Sequence, residues 1–213
     1  PDLVILPLKL KDAAASLTEL GIPVLLVNPE SQELLTEMIE LVSTATNTQE
    51  RANELLSYIA SQKSMLSDTL ADTEPKSVYL AGNSSLLSTA GPAMYQSSMI
   101  ELAGGSYALD DAQTASTSGS SVTLEMERFY ATAKDADIIV YNGTIDESVA
   151  TLNDFVGKNA LLSQFKAVKN GNVWVTSADM YQQMTSTADI IDELHGAFTC
   201  DDSSGFHYLR KLG

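Results

Sequence analysis

Few side chains in this 213-residue chain have the type and spacing that covalent chemistry needs. The acid pairs Asp110-Asp111 and Asp201-Asp202 could serve as general acid and base, but adjacent acids in loops are ordinarily only solvated. His195 and His207 are too few for a histidine-rich metal centre, and no His-Glu-x-x-His occurs. Cys200 is the one cysteine, which rules out an intrachain disulfide and a cysteine-based cluster. Ser118, Ser120 and Ser121 surround Gly119 in an aperiodic stretch, not at the strand–helix junction a Gly-x-Ser-x-Gly nucleophile requires. The loop from Gly82 to Gly91 has no Lys after it, so it is no P-loop, and no Gly-x-Gly-x-x-Gly follows a strand. Taken together, these residues point to a protein that binds and does not catalyse, with no resident cofactor or metal.

The net charge of −16 excludes nucleic acid as a partner, since neutralising phosphates takes clustered Lys and Arg. It equally disfavours an anionic membrane surface. No apolar run reaches the ~18 residues of a membrane helix, and no signal peptide is visible. A hydrophobic fraction of 44% is enough for a buried core in a chain of this length.

The elements that must position any site alternate between strand and helix. Leu3-Val4-Ile5-Leu6 reads as a buried strand, Asp12 to Leu20 as a helix stopped by Gly21, and Ile22 to Val27 as a second strand. Ser31 to Leu70 is helical, broken at Thr44 to Thr48. Thr48 stands as an N-cap, and the second helix runs for about 22 residues, or roughly 33 Å. After Pro75 a new α/β pattern begins. Strands are expected at Val78 to Ala81, Asp137 to Tyr141 and Val173 to Val175. Helices are expected at Met94 to Ala103 (closed by Gly104-Gly105), Leu124 to Ala133, Asn159 to Phe165 and Thr187 to Phe198. Asp110 to Ser121 reads as a long surface loop, the end of the chain as a polar tail, and Trp174 as core. The pattern predicts an α/β fold whose C-terminal lobe is a Rossmann-like, mainly parallel sheet with helices on both faces. Ligands of such sheets sit beyond the carboxyl ends of the strands, at the loops opening with Gly82, Asn142 and Ser177.

The order of these pieces resembles the helical-backbone (FecCD-type) substrate-binding proteins of ABC importers for iron–siderophore, haem and cobalamin. Pro1-Asp2-Leu3-Val4-Ile5 resembles the family's first-lobe strand, Gly21-Ile22-Pro23-Val24 its next strand, and Glu50-Arg51-Ala52 with Leu55 the start of its inter-lobe helix. The Gly82 to Gly91 loop and Glu101-Leu102-Ala103-Gly104-Gly105 resemble the opening of the second lobe. Asp137 to Val140 resembles the "Pro-Asp-Val-Ile" strand, with Ala136 in place of proline, and Phe165 to Trp174 resembles "ala-val-lys-x-gly-x-val-tyr". The resemblance divides the chain into a remnant of an N-terminal lobe (1–30), a helical region with the long backbone helix (31–74) and a C-terminal lobe (75–213). The family's first strands would then precede Pro1, leaving an N-terminally truncated lobe whose open sheet edge could pair two copies into a dimer.

The resemblance implies an extracytoplasmic location, cargo held between two lobes, and docking onto ABC permease subunits through one surface glutamate per lobe. The resemblance makes Glu127, with Glu125 as the alternative, the candidate for that role here. The mouth of the second lobe would be built from Asn83, Ser84, Ser88, Thr89, Met94, Asn142, Tyr181 and Gln182. These groups carry almost no positive charge. Either cations come from the first lobe, or the cargo is neutral or large and corrin-like. Three other readings stay open: a metallocofactor-handling or enzyme-like relative, a surface sensor or adhesion module, and a fragment holding half a cleft that binds nothing alone.

Overall fold

Three continuous apolar runs become central strands because helices cover both faces of their sheet, leaving no solvent side to be polar. The computed structural model describes all residues except 30, 71–73, 83–84, 93, 110–120, 181–185 and 200–202, with backbone only at 32, 62–63 and 65–70. The chain forms two compact units, Pro1–Ser57 and Tyr58–Gly213.

The first unit carries β1 (Val4–Pro7), α1 (Lys11–Glu19) and β2 (Val24–Val27), the strands pairing in parallel from Val4↔Val24 to Pro7↔Val27. Gly21 ends α1 with φ of 77°, as its position predicts. Next comes α2 (Gln32–Thr46), capped by Ser31, whose hydroxyl accepts from the Leu34 N–H at 3.2 Å. Asn47 terminates it in the left-handed conformation, φ 57°, inside the break read from the sequence. The 22-residue α3 (Gln49–Leu70) then crosses the unit boundary. Ala14, Leu35 and Ala52 are the buried apolar residues of this unit.

The second unit is built on a five-stranded sheet. In chain order its strands are β3 (Lys76–Ala81), β5 (Gly105–Tyr107), β7 (Ile138–Tyr141), β8 (Val173–Thr176) and β9 (Leu209–Lys211), and in space β5-β3-β7-β8-β9. All neighbours are parallel except β8 and β9. A two-stranded antiparallel pair, β4 (Ser88–Ala90) with β6 (Ser121–Thr123), stands apart. The helices are α4 (Tyr95–Leu102), α5 (Met126–Ala133), α6 (Leu152–Lys158), α7 (Lys166–Lys169) and α8 (Thr187–Thr199). Val78, Leu80, Val140 and Trp174 pack with α4 and α8 on one face, while Tyr79, Ala81, Ile139, Tyr141 and Val175 pack with Phe129, Phe155 and Phe165 on the other. Side chains alternating along each strand thus feed two cores. Trp174 is core, as expected.

The structure departs from expectation in its smallest elements. The polar tail is instead β9, with Tyr208, Leu209 and Leu212 buried. Gly104, at φ 85°, closes α4, but Gly105 opens β5. The expected helix from Asn159 is a short 3-10 turn, Ala160–Gln164. Before it lies α6, opened by a capping box in which Thr151 and Asp154 each accept from the other's backbone N–H. Ser121 belongs to β6, while the rest of the expected long loop, 110–120, falls outside the described residues.

Candidate functional site

The carboxyl ends of β3, β7 and β8 open on one side of the sheet, and the turns there are held by hydrogen bonds between strands. Gly82 follows β3 with φ of 83°, and a Cβ would stand 2.8 Å from the Tyr141 ring. Asn142 follows β7, is 2% exposed, and its Oδ1 accepts from the Thr144 N–H at 3.1 Å. Gly143 comes so close to β8 that a Cβ would lie 2.1 Å from the Thr176 carbonyl oxygen, while its N–H donates to Thr176 Oγ1 at 2.9 Å. The Thr144 hydroxyl donates to the Ser177 carbonyl at 3.2 Å, tying the two turns together.

Beyond this turn a charged cluster stiffens the loop toward α6. Lys158 Nζ donates to Asp146 at 2.6 Å and to the Ser148 hydroxyl at 2.9 Å, and the Tyr141 hydroxyl donates to Asp146 at 2.8 Å. These donors, Lys158 first, hold the Asp146 carboxyl well below the usual range. Burial, and then Asp146, push the Tyr141 phenol up.

The C-terminal segment completes the site, and this is the part sequence reasoning missed. The Ser177 N–H donates to the Tyr208 carbonyl at 2.8 Å, laying residues 203–210 against the end of β8. Glu193 of α8 fixes that segment: its carboxylate accepts from the backbone N–H groups of His207 (2.7 Å), Tyr208 (2.7 Å) and Leu209 (3.0 Å). Between the Gly143 turn, Val175 and Thr176 of β8, and residues 203–210 lies a pocket of about 460 Å³. Phe206, His207 and Arg210 line it, with Glu147 on the loop after β7. A smaller pocket of about 190 Å³ sits where β3 begins, lined by Lys76 and His195, whose Nδ1 lies 3.1 Å from the Ala103 carbonyl.

The expected mouth residues separate into four groups. Asn142 stands at a strand end as predicted. Ser88 and Thr89 are both fully buried on β4; the Ser88 hydroxyl lies 2.5 Å from that of Ser121, and the Thr89 hydroxyl donates to the Leu80 carbonyl at 2.6 Å. Met94, at the N-cap of α4, is half-buried against the core. Asn83, Ser84, Tyr181 and Gln182 lie outside the described residues. Glu125 and Glu127 are exposed at the N-cap and in the first turn of α5, where the helix dipole favours acids. Among the described residues, no three His, Cys, Asp or Glu side chains are grouped to hold a metal ion. No helix among them is long and apolar enough to cross a membrane.

Comparison with known proteins agrees with this architecture. Residues 1–180 match the family described as periplasmic binding protein. No curated protein matches the chain. Among solved structures, an ABC transporter substrate-binding protein from Listeria monocytogenes EGD-e is similar at a TM-score of 0.75 and 17% identity, covering 93% of this chain and 77% of the other. The periplasmic vitamin B12 binding protein BtuF of Vibrio cholerae is similar at 0.70 and 16%, covering 93% and 74%. The periplasmic haem-binding protein RhuT from Roseiflexus sp. RS-1 is similar at 0.70 and 18%, covering 93% and 77%.

Proposed function

This chain belongs to the periplasmic binding protein family, and on that footing we propose that it is the extracytoplasmic substrate-binding component of an ABC importer, capturing a metal chelate of the ferric-siderophore, haem or cobalamin kind. Its family is one of binding proteins, not enzymes. The observation that carries the reading is the family match across residues 1–180. The similar structures from Vibrio cholerae and Roseiflexus, by their descriptions, bind vitamin B12 and haem. The site's arrangement suits capture: hydroxyls and amides at the strand ends bond one another and fix the turns. On this reading the cargo rests on the carboxyl ends of the second unit's strands, around Asn142 and the turns after Gly82 and Ser177. Glu127, or Glu125 beside it, meets cationic side chains of a permease.

A thermal-shift screen of the chain against ferric chelates, haem and cobalamin tests the reading. Cargo that binds only the native state adds about 2.7 kcal/mol at a hundredfold excess over Kd. For a chain of this size that raises Tm by roughly 5–11 °C. A shift of that order with one chelate class supports the proposal; a folded sample unmoved by the whole panel contradicts it.

A further inference from the structure

The strand-end loops carry almost no positive charge, yet the second unit places a cation beside them from an unexpected direction. Arg210 lies on β9, opposite Val175 of β8, and its side chain faces the pocket between the Gly143 turn and residues 203–210. Its guanidinium is oriented by neutral acceptors: Nη1 donates to the Ala150 carbonyl at 2.7 Å and Nη2 to the Val149 carbonyl at 3.5 Å. Carbonyls fix the direction of the planar fork without cancelling its charge, and further N–H groups remain for a ligand. Arg51, Lys134, Lys158 and Lys166 are paired with carboxylates. Among the described residues, no carboxylate pairs with Arg210 in this way.

Three neighbours define what this cation could receive. His207 lines the same pocket with its backbone clamped by Glu193, and its imidazole offers a second donor. Phe206, stacked on Trp174 at 5.8 Å between ring centroids, supplies an apolar wall. Glu147 is exposed on the same lining. As an exposed carboxylate it opposes an anionic chelate modestly.

We infer that this pocket is the seat, on the second unit, for a carboxylate group of the cargo, received by the Arg210 guanidinium with His207 as second donor. The inference rests on the importer reading and deepens it: the cargo is a carboxylate-bearing metal chelate rather than a neutral one. In a chain of net charge −16, such a group needs a local, pre-oriented cation, and a bidentate guanidinium–carboxylate pair provides it.

The test is isothermal titration of the full 213-residue chain with ferric citrate and with a neutral ferric trihydroxamate. Ferric citrate binds the wild-type chain. Arg210→Gln weakens that binding on the order of 10- to 100-fold, and Arg210→Lys recovers part of the loss. Glu147→Gln tightens it about 2- to 5-fold, as removal of a solvent-exposed like charge should. Unchanged ferric citrate affinity in Arg210→Gln overturns the inference, and so does binding of the neutral chelate alone; both leave the importer reading standing. If Arg210→Gln does not fold, Glu147→Gln decides by itself, unchanged or weaker binding being the refuting result. Failure of every chelate to bind overturns both.

Discussion

Glu193 holds the C-terminal segment in place, and its removal is the perturbation whose cost can be worked most directly. Its carboxylate accepts three backbone N–H groups, from His207, Tyr208 and Leu209, at 2.7 to 3.0 Å. Glu193→Gln keeps the shape but replaces one acceptor oxygen with an NH2 that faces donors. Two of the three bonds, those from Tyr208 and Leu209, go to the same oxygen. Hydrogen bonds to a charged group are worth about 1.5–3 kcal/mol each, and bonds sharing one acceptor do not add. The expected loss is therefore about 2–4 kcal/mol, against total stabilities of about 5–15 kcal/mol. At roughly 2–4 °C per kcal/mol this lowers Tm by about 4–16 °C. Trp174 reports the event, because Phe206 stacks on it and Lys211 lies 5.7 Å from its ring centroid. Circular dichroism melting gives Tm, and tryptophan emission should shift to the red in the variant even below the transition. A variant that melts within 1–2 °C of wild type, outside the range worked above, and keeps its emission maximum would refute the clamp.

Three more predictions rest on other parts of the second unit. Gly143→Ala forces a Cβ to within 2.1 Å of the Thr176 carbonyl, so it should cost at least the about 1–3 kcal/mol typical of overpacking, read as a lower denaturation midpoint. Phe155→Ala empties a fully buried site beside Tyr141 and should cost about 3–5 kcal/mol by the same assay. Asp137 accepts from Lys166 at 2.6 Å and from the N–H and hydroxyl of Ser77 at 2.9 Å, which together, Lys166 first, hold its carboxyl below the usual range. The stability that this lowering contributes is present above the ordinary Asp value of about 3.9 and is lost as pH falls through the lowered one. Asp137→Asn should therefore melt lower than wild type at pH 7, and the gap should close on acidification below about pH 4; a gap independent of pH counts against the pairing.

Legibility in the sequence followed burial geometry. The strands β3, β7 and β8 were readable because both their faces are covered, so Val78 to Ala81, Ile138 to Tyr141 and Val173 to Val175 are unbroken apolar runs. The break between α2 and α3 was readable from its cluster of Thr and Asn, and Asn47 takes the left-handed conformation there. The three-residue strands were not readable. Ser88-Thr89-Ala90 and Gly105-Ser106-Tyr107 are polar or small, and they become strands through partners far along the chain. In Leu209-Arg210-Lys211 the charges hid the alternation of buried Leu209 with exposed Arg210, which is the pattern of an edge strand. That concealment also keeps Arg210 and His207 out of the expected site, since a segment that reads as a polar tail pairs with β8 as a strand. Thr151 three residues before Asp154 was a usable sign of α6.

The importer reading is tested most directly by equilibrium titration of the chain with ferric citrate, a neutral ferric trihydroxamate, haem and cobalamin, following heat and Trp174 emission together. The account predicts saturable one-to-one binding of one chelate class, with the carboxylate-bearing ferric chelate the strongest ligand and its binding sensitive to Arg210. A folded chain that gives neither heat nor an emission change with any of the four would contradict it.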